Sequence, residues 1–171
     1  MSLSGPLDYR PAESKDIPLL RRWDEEPHVK AADPDSDWQW EREIPEREDW
    51  REQIMVSAGD RPIGFLQIMD PQRDEGAYWG KVQTCCRAID IWIGEADYLG
   101  QGIGTEMMRW AVNRCFSEPD VEEILIDPLA SNTRAHRFYE RLGFEFVEQR
   151  CFDGDDCFVF RLARQRWEDR R

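Results

Sequence analysis

Three glycines alternate with other residues in Leu99-Gly100-Gln101-Gly102-Ile103-Gly104-Thr105, directly ahead of an amphipathic helical pattern. Glycine has no Cβ and takes left-handed backbone angles at no steric cost, so successive N–H groups in such a loop can approach a ligand closely. The helix that follows adds unpaired N–H groups and the positive end of its dipole, and the combination is an anion site. Two familiar phosphate loops are excluded by the spacing. A P-loop needs Gly-Lys-Ser/Thr, and a dinucleotide fingerprint needs glycine where Thr105 or Met107 stands. The competing account of the heptapeptide is a turn that serves only tight packing.

The pattern on either side predicts an α+β fold. Ile103, Met107, Ala111 and Cys115 recur every four residues, flanked by Met108, Val112 and Phe116, which predicts a helix that Pro119 closes. Upstream, residues 7–11 alternate apolar and polar and predict a first strand. A helix follows from Ser14 or Asp16, with Pro18 in its first turn and Leu19, Leu20 and Trp23 on its apolar face. Residues 25–46, with Pro27, Pro34, Pro45 and the Trp38-Gln39-Trp40 cluster, are expected to be irregular, an excursion of the kind that forms a binding wall. A short helical stretch is expected around 47–53. Strands are then expected at 54–56 and 63–68, joined through Gly59-Asp60-Arg61-Pro62.

After a loop over 70–80, a strand is expected over 84–93, where Ile89, Ile91 and Ile93 alternate with Asp90 and Trp92. Beyond the glycine helix come a strand at 123–127, a turn at Pro128 and a helix opened by Ser131 or Asn132 and ended by Gly143. Two strands, 144–151 and 157–162, turn at Asp153-Gly154-Asp155, and 164–171 reads as a charged tail. The order implies a mixed, mostly antiparallel sheet flanked by helices.

Composition narrows the function classes. With 171 residues, 40% of them hydrophobic and eight of them Trp, the chain can fill one core; a single domain over 1–171 is expected, its core at about 7–162. No apolar run reaches the roughly 18 residues that span a bilayer, and Met1-Ser2-Leu3-Ser4-Gly5 lacks the regions of a signal peptide, so a cytoplasmic location is expected. Cys85, Cys86, Cys115, Cys151 and Cys157 are odd in number and contain no C-x-x-C pair, which predicts neither a disulfide framework nor a zinc site. The only histidines, His28 and His136, lie in no local signature for a Cys–His nucleophile. A formal net charge of −13 argues against nucleic acid or a membrane surface as partner and suits a cationic one, although an acid excess also serves plain solubility.

Taken together, the 84–93 strand, the glycine loop and its helix, the strand ending at Asp127, and Ser131-Asn132-x-x-Ala135-x-x-Phe138-Tyr139-Glu140-x-x-Gly143-Phe144 resemble the GNAT superfamily of N-acetyltransferases. The likeness is clear over residues 63–162 and fainter in the first strand and helix. The usual cradle begins with Arg or Gln three residues before its second-last glycine, where this chain has Leu99. Within the superfamily, Ile89-Asp90, the glycine loop, Asp127-Pro128-x-x-Ser131-Asn132-x-Arg134-Ala135 and Asp153-Gly154 resemble the aminoglycoside 6'-N-acetyltransferases and related acyltransferases, which look similar at the Leu99 position.

The resemblance implies a single GNAT-like domain, acetyl-CoA as acyl donor, no metal, and direct attack of a substrate amine on the thioester. Asp90 would be the base that accepts the amine proton; the alternatives are a solvated carboxylate or a pair with Arg87. Tyr139 would protonate the leaving sulfur, against the alternative of a core aromatic among Ala135, Phe138 and Leu142. Leu99, Gly100, Gln101, Gly102, Ile103, Gly104 and Thr105 would cradle the CoA pyrophosphate, and Trp92 and Ile93 would offer backbone groups to the pantetheine arm. Asn132 would reach the same arm, serve as a helix N-cap, or do both.

Asp127, Asp153, Trp38 and Trp40 would face the acceptor, with Tyr78 and Trp79 as further wall candidates and core packing as the competing role of these aromatics. The expected acceptor is a primary amine of a small polycation, an aminoglycoside 6'-amine. The alternatives are a siderophore-type, polyamine or peptide amine, or a non-catalytic acyl-CoA-binding module. A monomer or a homodimer is expected.

Overall fold

The computed structural model describes residues 5–35, 37–82 and 85–171. The signal-peptide reading of residues 1–4, and the expected start of a strand at Thr84, fall outside the described residues. Among the described residues, seven strands make one mixed, mostly antiparallel sheet, with helices in the connections, in agreement with the expected α+β class. The chain divides into two compact units, residues 1–67 with 90–109 and residues 68–89 with 110–171.

In the first unit, β1 (Leu7–Pro11) pairs antiparallel with β2 (Arg51–Ala58), Leu7 opposite Ala58 and Pro11 opposite Ile54. β2 turns into β3 (Arg61–Met69) through Gly59-Asp60, where Gly59 takes a φ of +59° that glycine adopts freely. α1 (Ile17–Asp24) follows a 3-10 turn, Ser14–Asp16, and buries Leu20 and Trp23 completely. These two join Ala12, Trp40, Ile44, Met55 and Phe65 in the core of this unit.

Two expectations need correction here. The 25–46 stretch is not irregular throughout, since it forms α2 (Pro27–Ala32) and α3 (Trp40–Glu43). Pro27 stands in the first turn of α2, where a missing N–H is harmless, and Gln39 at φ +48° turns the chain into α3. Nor is there a helix over 47–53. Arg47 takes a φ of +22°, and the edge of the sheet claims the following residues: Ala12 N–H donates to the Gln53 carbonyl at 2.8 Å, and Arg51 pairs with Glu43.

In the second unit the order is β4-β5-β7-β6. The first part of β4 (Cys86–Ile93) runs parallel to β5 (Glu123–Ile126), Cys86 opposite Glu123 and Ala88 opposite Leu125. β7 (Asp155–Ala163) pairs antiparallel with both β5 and β6 (Glu145–Phe152). Asp153 (φ +48°) and Gly154 (φ +91°) make the two-residue, left-handed turn that matches the twist of a hairpin. α4 (Ile103–Phe116) contributes residues to both units, and α5 (Thr133–Arg141) lies in the second.

The expected charged tail is instead α6 (Arg164–Glu168), docked by its own arginines. Arg164 donates to the carbonyls of Phe116 (3.0 Å), Val121 (2.9 Å) and Glu118 (2.6 Å), and Arg166 donates to Gly143 at 2.7 Å. Helix ends leave carbonyls without intrahelical partners, and a guanidinium fork can satisfy several of them at once. Among the described residues, no helix is long and apolar enough to cross a membrane.

Candidate active site

The first unit carries the glycine loop. β4 ends at Ile93, Gly94 N–H donates to the Ile63 carbonyl at 2.8 Å, a 3-10 turn covers Ala96–Tyr98, and α4 opens at Ile103. Gly100 and Gly102 have φ of +73° and +79°, and a Cβ at either would meet nothing within 4 Å. The left-handed angles require glycine, and the open space is what a close ligand needs. Glu106 N–H bonds to the Gly102 carbonyl at 3.1 Å, so the N–H groups of Ile103, Gly104 and Thr105 precede the helix's own ladder. Ile103 is buried and anchors the turn, while Leu99, Gly104 and Thr105 are half-buried and Gln101 is exposed, its amide donating to the Asp97 carbonyl at 2.6 Å. These features fit an anion such as a pyrophosphate, bound by backbone N–H groups at a helix start rather than by a side chain.

Charged side chains fix the approach to this loop. Arg61, at the start of β3, donates to Glu95 at 2.8 Å and Asp97 at 3.0 Å and lies over the Tyr98 ring at 5.1 Å. Glu95 also accepts Trp23 Nε1 at 2.9 Å and pairs with Arg22. Burial pushes the Glu95 carboxyl up, but the Trp23 indole, Arg61 and Arg22 outweigh it and hold it below the ordinary carboxylate range.

Asp90 lies half-buried on the same strand that leads into the loop. Its Oδ2 accepts Gln67 Nε2 at 3.1 Å, and Gln67 Oε1 in turn accepts Gln53 Nε2 at 3.2 Å. Arg87, the alternative partner, directs its guanidinium to Glu118 at 2.6 Å and Asp70 at 3.5 Å. Trp92 and Ile93 are half-buried; the Ile93 carbonyl accepts His28 Nε2 at 2.7 Å, and the Trp92 carbonyl would stand 2.8 Å from a Cβ at Gly64, so the backbones meet closely there. The Trp92 indole N–H is buried without a hydrogen-bond partner among the described residues.

Of the two tryptophans expected to wall an acceptor site, Trp40 is 1% exposed and gives its N–H to Asp24 at 2.7 Å. It is a core residue and lines nothing, which corrects that expectation. Trp38 is half-buried and stacks on Trp40 at 5.2 Å, with Trp92 5.1 Å away, so one of its faces rests on the core.

The second unit holds the other candidates. Asn132 Oδ1 accepts Ala135 N–H at 3.2 Å, the N-cap geometry. Tyr139 is half-buried, its ring edge-on to Phe138 at 5.1 Å and Phe144 at 5.7 Å. Asp127 follows the end of β5 and accepts the Tyr78 hydroxyl at 2.5 Å, and Tyr78 stacks on Phe152 at 4.7 Å. Asp153 is exposed in the hairpin turn. Trp79 is buried against Phe152.

Asp90, the glycine loop, Trp92, Ile93, Trp38 and Trp40 thus share the first unit, and Asn132, Tyr139, Asp127 and Asp153 the second. Sequence reasoning missed Gln53 and Gln67, although a glutamine inside the apolar run 63–68 was a usable signal. Burial pushes the thiols of Cys86 and Cys157 up to about 12, which disfavours the thiolate that a nucleophile needs. Among the described residues, no group of three or more His, Cys, Asp or Glu side chains is placed to hold a metal ion.

Known proteins resemble this chain in sequence and in fold. A family profile described as an acetyltransferase (GNAT) domain matches residues 12–152. An aminoglycoside N(6')-acetyltransferase type 1 from Klebsiella pneumoniae is 30% identical over 144 residues, 76% of this chain and 69% of that protein. A kanamycin resistance protein from Rhizobium radiobacter is 40% identical over 73 residues, 42% of this chain and 68% of that protein. Among solved structures, an aminoglycoside acetyltransferase, AAC(6')-Ib, in complex with coenzyme A and kanamycin superposes with a TM-score of 0.85 at 25% identity, covering 96% of this chain and 98% of that one.

Proposed function

Because the chain belongs to the GNAT acetyltransferases, we propose that it transfers acetyl from acetyl-CoA to a primary amine of a small polycationic acceptor, the 6'-amine of an aminoglycoside. The observation that carries this reading is the run from Asp90 through the glycine loop into α4, which puts a carboxylate with a defined hydrogen bond and an open anion cradle on one continuous stretch of the first unit. The relatives' printed acceptors and the acid excess of this chain support the choice of a polycation.

The thioester supplies the acetyl group; the chain supplies binding and proton transfer. Backbone N–H groups from Gly100 to Thr105 hold the pyrophosphate, and Asn132 and the backbone of Trp92 and Ile93 hold the arm. The amine must be neutral to attack, so Asp90 takes its proton, directly or through a water. As the new C–N bond forms and the C–S bond breaks, the sulfur departs with the electron pair and takes a proton from the Tyr139 hydroxyl. Asp127, with its Tyr78 contact, and the exposed Asp153 attract the other ammonium groups of the acceptor, and Trp38 offers a ring face.

Thiol release from acetyl-CoA in the presence of kanamycin-like acceptors tests the reading, with acetylation at the 6'-amine as the expected product. Turnover on polyamines, peptide amines or siderophore-type amines alone would change the acceptor class. CoA binding without turnover across the whole panel would make the protein a binding module.

A further inference from the structure

We infer that Gln67 and Gln53 form a relay that orients the Asp90 carboxylate and keeps it ready to accept a proton, an inference that rests on Asp90 being the base. The chain of contacts is directional. Gln53 Nε2 donates to Gln67 Oε1 at 3.2 Å, and Gln67 Nε2 donates to Asp90 Oδ2 at 3.1 Å. An amide can point either way, and its orientation is set by its partners. Because the Asp90 carboxylate only accepts, the NH2 of Gln67 turns toward it and the Gln67 oxygen is left for the NH2 of Gln53. Gln67 itself is 6% exposed, on a strand that buries its neighbours Leu66 and Ile68, so its amide is shielded from water, while Gln53 and Asp90 are half-buried.

A donor aimed at a carboxylate favours the charged form, and the charged form is the one that accepts the amine proton. The relay also fixes how the carboxyl is turned. With Oδ2 engaged by Gln67, rotation of the carboxyl is restrained, so the geometry for proton transfer is set before substrate arrives. All three residues sit on neighbouring strands of the first unit, Gln53 on β2, Gln67 on β3 and Asp90 on β4, which makes the relay a product of strand register rather than of loop packing. Gln67 and Gln53 are positioning residues here. Neither needs to touch the acceptor.

The test is the pH dependence of kcat/KM for the acceptor in four variants of the full chain. In Gln67→Leu the acid limb should move to higher pH by about one unit, because the carboxylate loses a hydrogen bond to its charged form. The loss in rate should therefore be large below neutrality and shrink as the pH rises. Gln67→Glu should move the limb further the same way, since a second carboxylate opposes ionisation of Asp90.

Gln53→Glu presents a second acceptor-only carboxylate, which competes with Asp90 for the Gln67 NH2 and weakens the donor that Asp90 receives. Its profile should approach that of Gln67→Leu although Gln67 is intact. Asp90→Asn should abolish the limb and most of the rate. Acetyl-CoA affinity and Tm report whether each variant is folded. A Gln67→Leu profile displaced only downward, equally at every pH, would overturn the relay while leaving Asp90 as base. If Asp90→Asn keeps both rate and profile, the underlying assignment of the base is what fails.

Discussion

The indole of Trp23 fills the space in which any side chain at Gly94 would have to stand. Trp23 is fully buried, and its Nε1 donates to Glu95 at 2.9 Å, so the ring cannot withdraw without breaking that contact. Gly94 is therefore a packing glycine that lets the chain leave β4 and turn toward the glycine loop. Gly94→Ala should destabilise the protein by about 3 kcal/mol through overpacking, read from the midpoint of urea unfolding. A midpoint unchanged from the parent would mean that the ring has room to move.

Arg61 ties the start of β3 to the turn before the cradle, reaching Glu95 and Asp97 from a position that is half exposed to solvent. Pairs of this kind contribute about 1 kcal/mol or less to overall stability. Their geometric effect is more specific. Arg61→Ala should raise the Kd for CoA by about fivefold, close to 1 kcal/mol, with kcat at saturation and Tm little changed. Calorimetric titration with CoA measures it, and an unaltered Kd would show that the loop holds its shape without Arg61.

The conformation of the glycine loop was legible because its causes are local: alternating glycines, left-handed angles and a helix start all lie within seven residues. Asn132 as an N-cap and Asp153-Gly154 as a tight turn were legible for the same reason. What escaped was set by contacts distant in sequence. Arg47 and Arg51 look helical in isolation, and contacts distant in sequence decide otherwise: β1 pairs with residues 54–58 of β2, Ala12 N–H reaches the Gln53 carbonyl, and Arg51 pairs with Glu43. Tyr78 and Asp127, 49 positions apart, meet through a loop whose path the sequence does not disclose. Trp40 read as a wall because aromatic clusters serve both surfaces and cores, and its burial is decided by Phe65 and Trp38 from other elements.

The C-terminal arginines give a prediction about stability alone. Arg164 donates to three carbonyls, one of them Phe116 in the last turn of α4, and removing the guanidinium leaves those acceptors to be satisfied by water or not at all. Arg164→Ala should cost about 2 kcal/mol, at the level of a charged hydrogen bond, and Arg164→Lys should recover only part because an ammonium lacks the fork. Thermal unfolding of the two variants distinguishes a clasp from a solvated tail, in which neither change would be felt.

Asp16 supplies a pH signature. Burial pushes its carboxyl up, but the Arg10 guanidinium at 2.7 and 2.8 Å and the Glu13 N–H at 2.8 Å outweigh this and hold it below the ordinary range. A depressed carboxylate stabilises the fold above its unfolded value of about 3.9 and loses that contribution as the pH falls through the lower folded value. Asp16→Asn should thus lower stability by about 2 kcal/mol at neutral pH, and the gap to the parent should close below about pH 4. Denaturant titrations at both pH values check it; a gap independent of pH would assign the effect to shape rather than charge.

Net charge separates the two substrates by sign. The chain carries −13, CoA is an anion, and the proposed acceptor carries several ammonium groups. Long-range attraction to the acceptor and long-range repulsion of CoA are both screened once the Debye length falls below about 10 Å, near 0.1 M salt. Raising salt from about 0.05 to about 0.5 M should therefore raise KM for the acceptor and lower or leave unchanged KM for acetyl-CoA. Asp127→Asn should raise acceptor KM about tenfold at low salt and flatten its salt dependence, because the screened charge is then partly gone. Steady-state kinetics over a salt series reads both constants in one experiment. Two KM values that rise together would point to a general effect of salt on the fold, whereas opposite slopes require a cationic acceptor meeting an acidic protein.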